Sequence, residues 1–302
     1  MSSIGVREED VRAEWLRVRN DPVEGYLGAS DIAAVCGMSK WSTPRHVFMV
    51  KKGLVTVEDN LPMKVGRMLE PLVAQEFADY VGIPFSDLRK GELTRHHKYG
   101  FLGCNPDYLW DSPEGLANIQ CKTCGQYASG DFGQSGTDEV KDEYLLQSGY
   151  EMWLTGAKIG YLPILIGNAE FRVFKFTWTE TMQAIVKHAA EEARTFWHDY
   201  FLANVPPPLM GLDVDQRLVT DMYRSPDDTL VNSNPDIEKE CKGFAELQAE
   251  AEKLEAEINR RKNVFREFIG NASGVHTTEG IVTWRPDRNG KRSLRLPFKK
   301  GL

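Results

Sequence analysis

The sequence predicts an α/β protein: a small mixed sheet flanked by helices, extended at its C-terminal end by a long helix and a β-hairpin. Three observations predict it. Apolar residues recur at helical spacing in the first third of the chain and again around residues 143–156 and 179–202. Two turn signals, Asp111-Ser112-Pro113-Glu114-Gly115 and Asn289-Gly290, separate short strand-like runs. The order of elements, helices, a hairpin, a helix, two strands and a helix, is that of a sheet covered by helices.

Taken along the chain, residues 5–20 read as a helix. In GYLGASDIAAVCGM, Ser30 is placed to cap a helix that carries Ile32, Ala33, Val35 and Cys36. Thr43-Pro44 opens the next helix, PRHVFMVKKG, which Gly53 closes. MKVGRMLEPLVAQEFADYVG has apolar residues at 65, 69, 72, 73, 77 and 81, with Pro71 expected to kink it beside Glu70. NPDYLWDSPEGLANIQCKT then reads as a hairpin. With its turn centred between Pro113 and Glu114, residues whose numbers sum to 227 face each other, so Asp107 opposes Gln120. Side chains alternate along a strand, so Gln120 and Lys122 share one face while Cys121 points the other way.

The Gly/Ser-rich loop GQYASGDFGQSGTDE leads to a helix, EYLLQSGYEMWLTG, to two strands, IGYLPILIG and EFRVFKFTW, and to a helix from about Thr179 to Leu202 that stops before Pro206-Pro207-Pro208. Residues 1–208 are therefore expected to form one domain, 209–235 an irregular connector, and 236–302 an appendage. In the appendage Phe244, Leu247, Ala251, Leu254, Ile258, Phe265 and Phe268 form a heptad seam broken at Arg261, able to pack on its own domain or on a partner helix.

With 302 residues the chain can bury a substantial core, and its formal charge of −7 argues against a protein that coats nucleic acid non-specifically. The charge is uneven: from Arg285 to Leu302 the balance is +6, either a solvated tail or an arm that contacts a nucleic-acid backbone. No run of eighteen apolar residues and no hydrophobic leader occurs in the sequence, so a soluble cytoplasmic protein is expected. Five scattered cysteines fit reduced thiols better than a disulfide framework.

An acid on one strand, an oxygen-bearing residue opposite and a lysine two further on can hold a divalent cation against a phosphodiester. The metal neutralises developing charge, and the lysine stabilises the transition state or positions the attacking water. Hard oxygen ligands favour magnesium or manganese over zinc. Cys121-Lys122-Thr123-Cys124, with Cys104, raises a thiolate site as a rival, but Cys121 is expected to point into the core and no fourth ligand is evident. His96-His97 read as a solvated loop.

Five motifs in order extend this pattern: GASDIAAVCGMSKWSTPRHVFMVKKG, MKVGRMLEP, NPDYLW, IQCKT and YLLQSGYEMWLTG. Together they resemble the YqaJ-like viral recombinase family, phage exonucleases that include the lambda-type alkaline exonuclease and share the PD-(D/E)XK nuclease fold. The resemblance covers roughly residues 12–205. It implies Asp107 as the metal-binding aspartate, Lys122 as the catalytic lysine and Glu70 as the helix-borne acid, with the backbone carbonyl of Cys121 beside them on the metal. Ser30 matches the serine that contacts a 5′-terminal phosphate, which a helix N-terminus also suits. Arg17 and Arg19 are the candidates for its arginine, and Gln147 and Tyr150 resemble a supporting Q-x-x-Y element.

The same resemblance implies stepwise 5′-to-3′ digestion of linear double-stranded DNA with magnesium or manganese, leaving 3′ tails for recombination in a bacterial host cell. It also implies a ring-like homo-oligomer and a single-strand annealing protein as partner. The departure is Gln120, where the family usually has Glu. A neutral amide oxygen weakens the metal site. A natural variant, an inactivated chain and a member that binds DNA ends without cutting all remain open, so an end-binding or scaffold protein is the alternative function. A structure-specific endonuclease is a third, disfavoured by Ser30.

Overall fold

The computed structural model describes residues 8–21, 24–225 and 227–297. Its backbone packing divides the chain into two compact units, Met1–Ser225 and Pro226–Leu302. The first contains the helices α1 (Glu8–Arg19), α2 (Ala29–Val35), α3 (Pro44–Lys51) and α4 (Leu61–Val81), followed by the short strands β1 (Leu88–Lys90), β2 (Thr94–Arg95) and β3 (Gly103–Cys104). The hairpin strands β4 (Tyr108–Ser112) and β5 (Gly115–Ile119) come next, then β6 (Lys122–Cys124), α5 (Asp142–Thr155), β7 (Ile159–Ile166), β8 (Glu170–Thr177), α6 (Glu180–Thr195) and α7 (Asp213–Met222). After α6 the chain continues as a π-helical stretch, Phe196–Leu202.

The hairpin has the register that its turn dictates: Tyr108 faces Ile119 and Ser112 faces Gly115. In the mixed sheet β1, β4, β5 and β7 lie side by side, and β8 pairs antiparallel with the other edge of β7. Both β5 and β6 run parallel to β7 at one constant offset, Ile119 opposite Tyr161 and Lys122 opposite Ile164. Between them stands Pro163, opposite Cys121 at that offset. Proline has no N–H to give, so the ladder is interrupted at Gln120-Cys121.

Strand alternation divides the core in two. Ala117, Ile119, Cys121, Ile159 and Tyr161 pack with Val73, Ala74, Phe77 and Ala78 of α4. The residues between them, such as Leu162 and Ile164, pack on the opposite side with α2, α3, α5 and α6. Asn118, Gln120 and Lys122 alternate with Ala117, Ile119 and Cys121, which turns them toward the α5 side. Phe77 is fully buried, 5.0 Å from the Tyr161 ring and 6.2 Å from Trp110. Phe77→Ala should lose about 3–5 kcal/mol in urea unfolding, because the cavity opens between α4 and the hairpin and cannot collapse.

Several expectations change. Gly28, not Ser30, is the N-cap of α2: Asp31 accepts from the Gly28 N–H at 3.0 Å, so the helix starts one residue before Ser30. Residues 213–222, expected to be irregular, form α7, because Leu218 is buried and Asp215 accepts from the Thr43 hydroxyl at 2.5 Å.

The second unit holds α8 (Pro235–Ile269), capped by Asn234, and the strands β9 (Gly274–Thr277), β10 (Gly280–Pro286) and β11 (Arg292–Arg295). These make a three-stranded antiparallel sheet rather than a single hairpin, since Thr278-Glu279 supplies a second tight turn. Gly290 has φ 77°, as its turn requires. Arg292, counted above in the basic tail, lies 3.7 Å over the Trp284 ring and donates to the Gly270 carbonyl, a folding role. Most of the heptad seam is exposed, Phe244 at 70% and Phe268 at 76%, while Phe265 is half-buried. Lys299 and Lys300 lie outside the described residues. Among the described residues no helix is long and apolar enough to cross a membrane.

Candidate active site

Asp107 sits just before β4 and accepts two hydrogen bonds at Oδ2, from the Gln120 side-chain amide at 2.9 Å and from the Cys121 N–H at 2.8 Å. The Cys121 N–H is available because it points toward β4, and the interrupted ladder around it leaves room for a side chain. Burial pushes the Asp107 carboxyl well above its ordinary range; the negative charges of Glu70 and Glu151 push the same way, and Lys122 opposes them. Lys122 Nζ donates to Gln147 Oε1 at 3.1 Å. The hairpin thus brings Asp107, Gln120 and Lys122 together at one end of the sheet.

Glu70 reaches the same end from α4 but is ion-paired with Lys90 of β1. The antiparallel pairing of Lys90 with Tyr108 sets that lysine beside the start of β4, between the two acids. The CxxC pair does not form a thiolate site. Cys121 is buried on the α4 side of the sheet and Cys104 in the core on the other. His96 Nδ1 accepts from the Lys98 and Tyr99 N–H groups, and its ring packs 4.7 Å from Trp153, so it organises its loop.

The residues present suit an oxygen-ligated cation held weakly. Gln120 Oε1 is buried with no hydrogen-bond partner, an orphan acceptor beside a strained carboxylate. Hard oxygens of this kind favour magnesium or manganese. Among the described residues, however, no group of three or more His, Cys, Asp and Glu side chains is arranged to hold a metal.

A second cluster forms around α2. Arg19 Nη2 donates to Ser30 Oγ at 2.7 Å and to Asp31 Oδ1 at 2.6 Å, and its guanidinium lies 4.9 Å from the Trp15 ring. Gly28 permits this approach: a Cβ there would stand 3.1 Å from Arg19 Nη2. Lys51 meets Asp31 Oδ2 at 3.1 Å and donates to the Tyr26 carbonyl at 2.6 Å. Burial depresses the Lys51 ammonium to about 8 against the pull of Asp31. Two cations against one carboxylate leave the cluster net positive, with the Ser30 hydroxyl bonded to Arg19 at its exposed edge.

Of the two candidate arginines, Arg19 is the one that meets Ser30. Arg17 pairs with Glu14 on its own helix at 2.6 Å and is exposed. Tyr150 also departs from expectation: it is completely buried, with Cys104, Asp31 and Cys36 as its electrostatic neighbours, so it cannot touch a substrate as placed. Its partner in the Q-x-x-Y element, Gln147, does join the site. Residues missed in the sequence are Asn118, Glu151, Lys90, Asp31 and Lys51. Asn118 had a signal, since Asn118, Gln120 and Lys122 are polar at period two. Glu151 had one as well, an acid inside the apolar run Tyr150–Leu154.

Residues 14–158 match the YqaJ-like viral recombinase domain. The uncharacterized protein YqaJ of Bacillus subtilis is 26% identical over 275 residues, covering 86% of this chain and 81% of that protein. Among solved structures, an alkaline exonuclease from Laribacter hongkongensis covers 70% of this chain and 99% of its own at 18% identity, with a TM-score of 0.48. A phage-related exonuclease from Haemophilus somnus covers 67% and 99% at 14% identity, with a TM-score of 0.45. The ordered motifs and the family match therefore fall on one stretch, residues 14–158, which is similar to the YqaJ-like viral recombinase domain.

Proposed function

We propose that the protein is a metal-dependent exonuclease that digests linear double-stranded DNA from the 5′ end and leaves 3′ single-stranded tails for phage-type recombination. The observation that carries this reading is the convergence of Asp107, Gln120 and Lys122 across the hairpin. When bound, magnesium or manganese supplies Lewis acidity at the scissile phosphate. The chain's own residues do the rest. Asp107, the Gln120 oxygen, the Cys121 backbone carbonyl and Glu70, now paired with Lys90, are the residues that would hold the cation. Lys122 keeps two N–H groups free beyond its bond to Gln147 and directs them at the phosphate, where negative charge grows in the transition state.

Arg19 and Ser30 receive the terminal 5′-phosphate. A terminal phosphate is attracted by the positive excess of the Arg19–Asp31–Lys51 cluster, and a chain without an end does not present one. A ring of several copies in the cytoplasm of a bacterial host, with the acidic surface outward and a single-strand annealing protein as partner, belongs to this reading.

The test uses linear duplex DNA with and without 5′-phosphates and circular DNA, each with magnesium. Digestion of the linear phosphorylated form alone is expected; equal digestion of circles would remove the end-directed reading. A second reading, an end-binding protein with a weakened site, is favoured by one observation: Gln120 donates its amide to Asp107, so the pair carries a single negative charge. Tight, phosphate-dependent end binding with no digestion in either metal is the result that would support it.

A further inference from the structure

Beneath the site lies a carboxylate that the reading above leaves without work. Glu151 is 1% exposed, on α5 between Tyr150 and Met152, which both enter the core. Burial pushes its carboxyl up to about 7, with the bonds from Asn118 and Gln147 pulling it down. A buried carboxylate persists only with its oxygens satisfied, and both are. Oε2 accepts from Asn118 Nδ2 at 2.9 Å, and Oε1 accepts from Gln147 Nε2 at 3.0 Å.

A carboxylate offers acceptors only, so it forces Gln147 to present its NH2 group downward. The other end of the same amide, Oε1, then faces up, and that is the atom to which Lys122 Nζ donates at 3.1 Å. Reversing the amide would put two donors against the ammonium. Glu151 therefore decides which end of Gln147 the lysine meets. A direct ion pair would hold the lysine down and compete with phosphate, whereas one neutral acceptor fixes the flexible stem and occupies a single N–H. The other charged or ionisable groups around Glu151 are Asp107 before β4, Lys122 on β6 and Cys104 on β3.

We propose that Glu151 is a positioning residue for Lys122, acting through the side-chain amide of Gln147 and itself locked by Asn118. The proposal deepens the nuclease reading and rests on it for the effect on cleavage, while the anchoring of Lys122 is testable without DNA or metal.

The experiment measures how fast the Lys122 amine is acylated by a water-soluble reagent, read by mass spectrometry of its peptide, in the folded full-length protein. Glu151→Gln keeps shape and satisfies Asn118 and Gln147 in either orientation, so Gln147 loses its fixed polarity; Gln147→Met removes the relay without touching the carboxylate. Each should raise acylation on the order of tenfold, because the amine loses the hydrogen bond to Gln147 that holds it in place. The double variant should add little more, since both break one chain. In cleavage assays kcat should fall and KM for DNA ends stay put. Unchanged labelling in Glu151→Gln, or additive rises in the double variant, would overturn the proposal. If the wild-type protein proves not to cut, the labelling result still stands, which separates failure of the relay from failure of the nuclease reading.

Discussion

Asp107→Asn should abolish DNA cleavage, by roughly 10³-fold or more, while leaving the metal-free protein as stable as the wild type or more so at pH 8. The asparagine oxygen can still accept from the Cys121 and Gln120 N–H groups, so the hairpin keeps its geometry. What disappears is a buried charge that the fold does not fully compensate. Between the ordinary carboxyl value of 3.8 and its raised folded value, the folded state binds more protons than the unfolded one. Stability is therefore lost as pH rises through that window. The variant escapes this loss, and its advantage should shrink to nothing as the pH falls below about 4, where both states are protonated in the wild type. Thermal denaturation from pH 4 to 8 in chelator measures it. End binding should survive, because Arg19 and Ser30 lie in the other cluster. Retained cleavage would remove Asp107 from the site; a variant less stable than the wild type at pH 8 would mean that its charge is compensated after all.

Gln120→Glu should have the second largest effect, in opposite directions with and without metal. It places a second carboxylate where an amide now stands 2.9 Å from Asp107 Oδ2. Two charges about 4 Å apart at a protein-like dielectric repel by about 4 kcal/mol, so in chelator one of them holds a proton and the variant melts lower. Magnesium reverses the sign, since a divalent cation between two carboxylates is bound at least about tenfold more tightly than between a carboxylate and an amide. The rise in melting temperature on adding magnesium should thus be larger in the variant, and larger at pH 8 than at pH 5.5. Cleavage should increase with it. A variant that binds no more magnesium than the wild type would show that position 120 is not a ligand, whatever its place in the sequence motif. A wild type that binds ends silently and a variant that cuts would instead identify the natural glutamine as what disarms the site.

The residues that local chemistry controls were legible. The turn at Pro113-Glu114 set the pairing of Tyr108 with Ile119, and strand alternation then placed Gln120 and Lys122 on the face opposite Cys121. Thr43 before Pro44 and Gly53 after Lys52 marked the ends of α3 through capping and positive φ, both properties of a few adjacent residues. The start of α2 was misplaced because Gly28, not Ser30, is the cap, and the Asp31 carboxylate that accepts from the Gly28 N–H is held by Arg19 and Lys51, which arrive from other helices.

The chain by itself determined the alternating and helical patterns, the hairpin register and the motif order, because each depends on spacing along the backbone. Only the tertiary structure decided which of Arg17 and Arg19 meets Ser30, that Lys90 takes Glu70, that Tyr150 is lost to the core, and that Glu151 stands under Lys122. Those outcomes turn on burial and on the direction a side chain takes when helices pack across a sheet. Spacing alone carries no information about either.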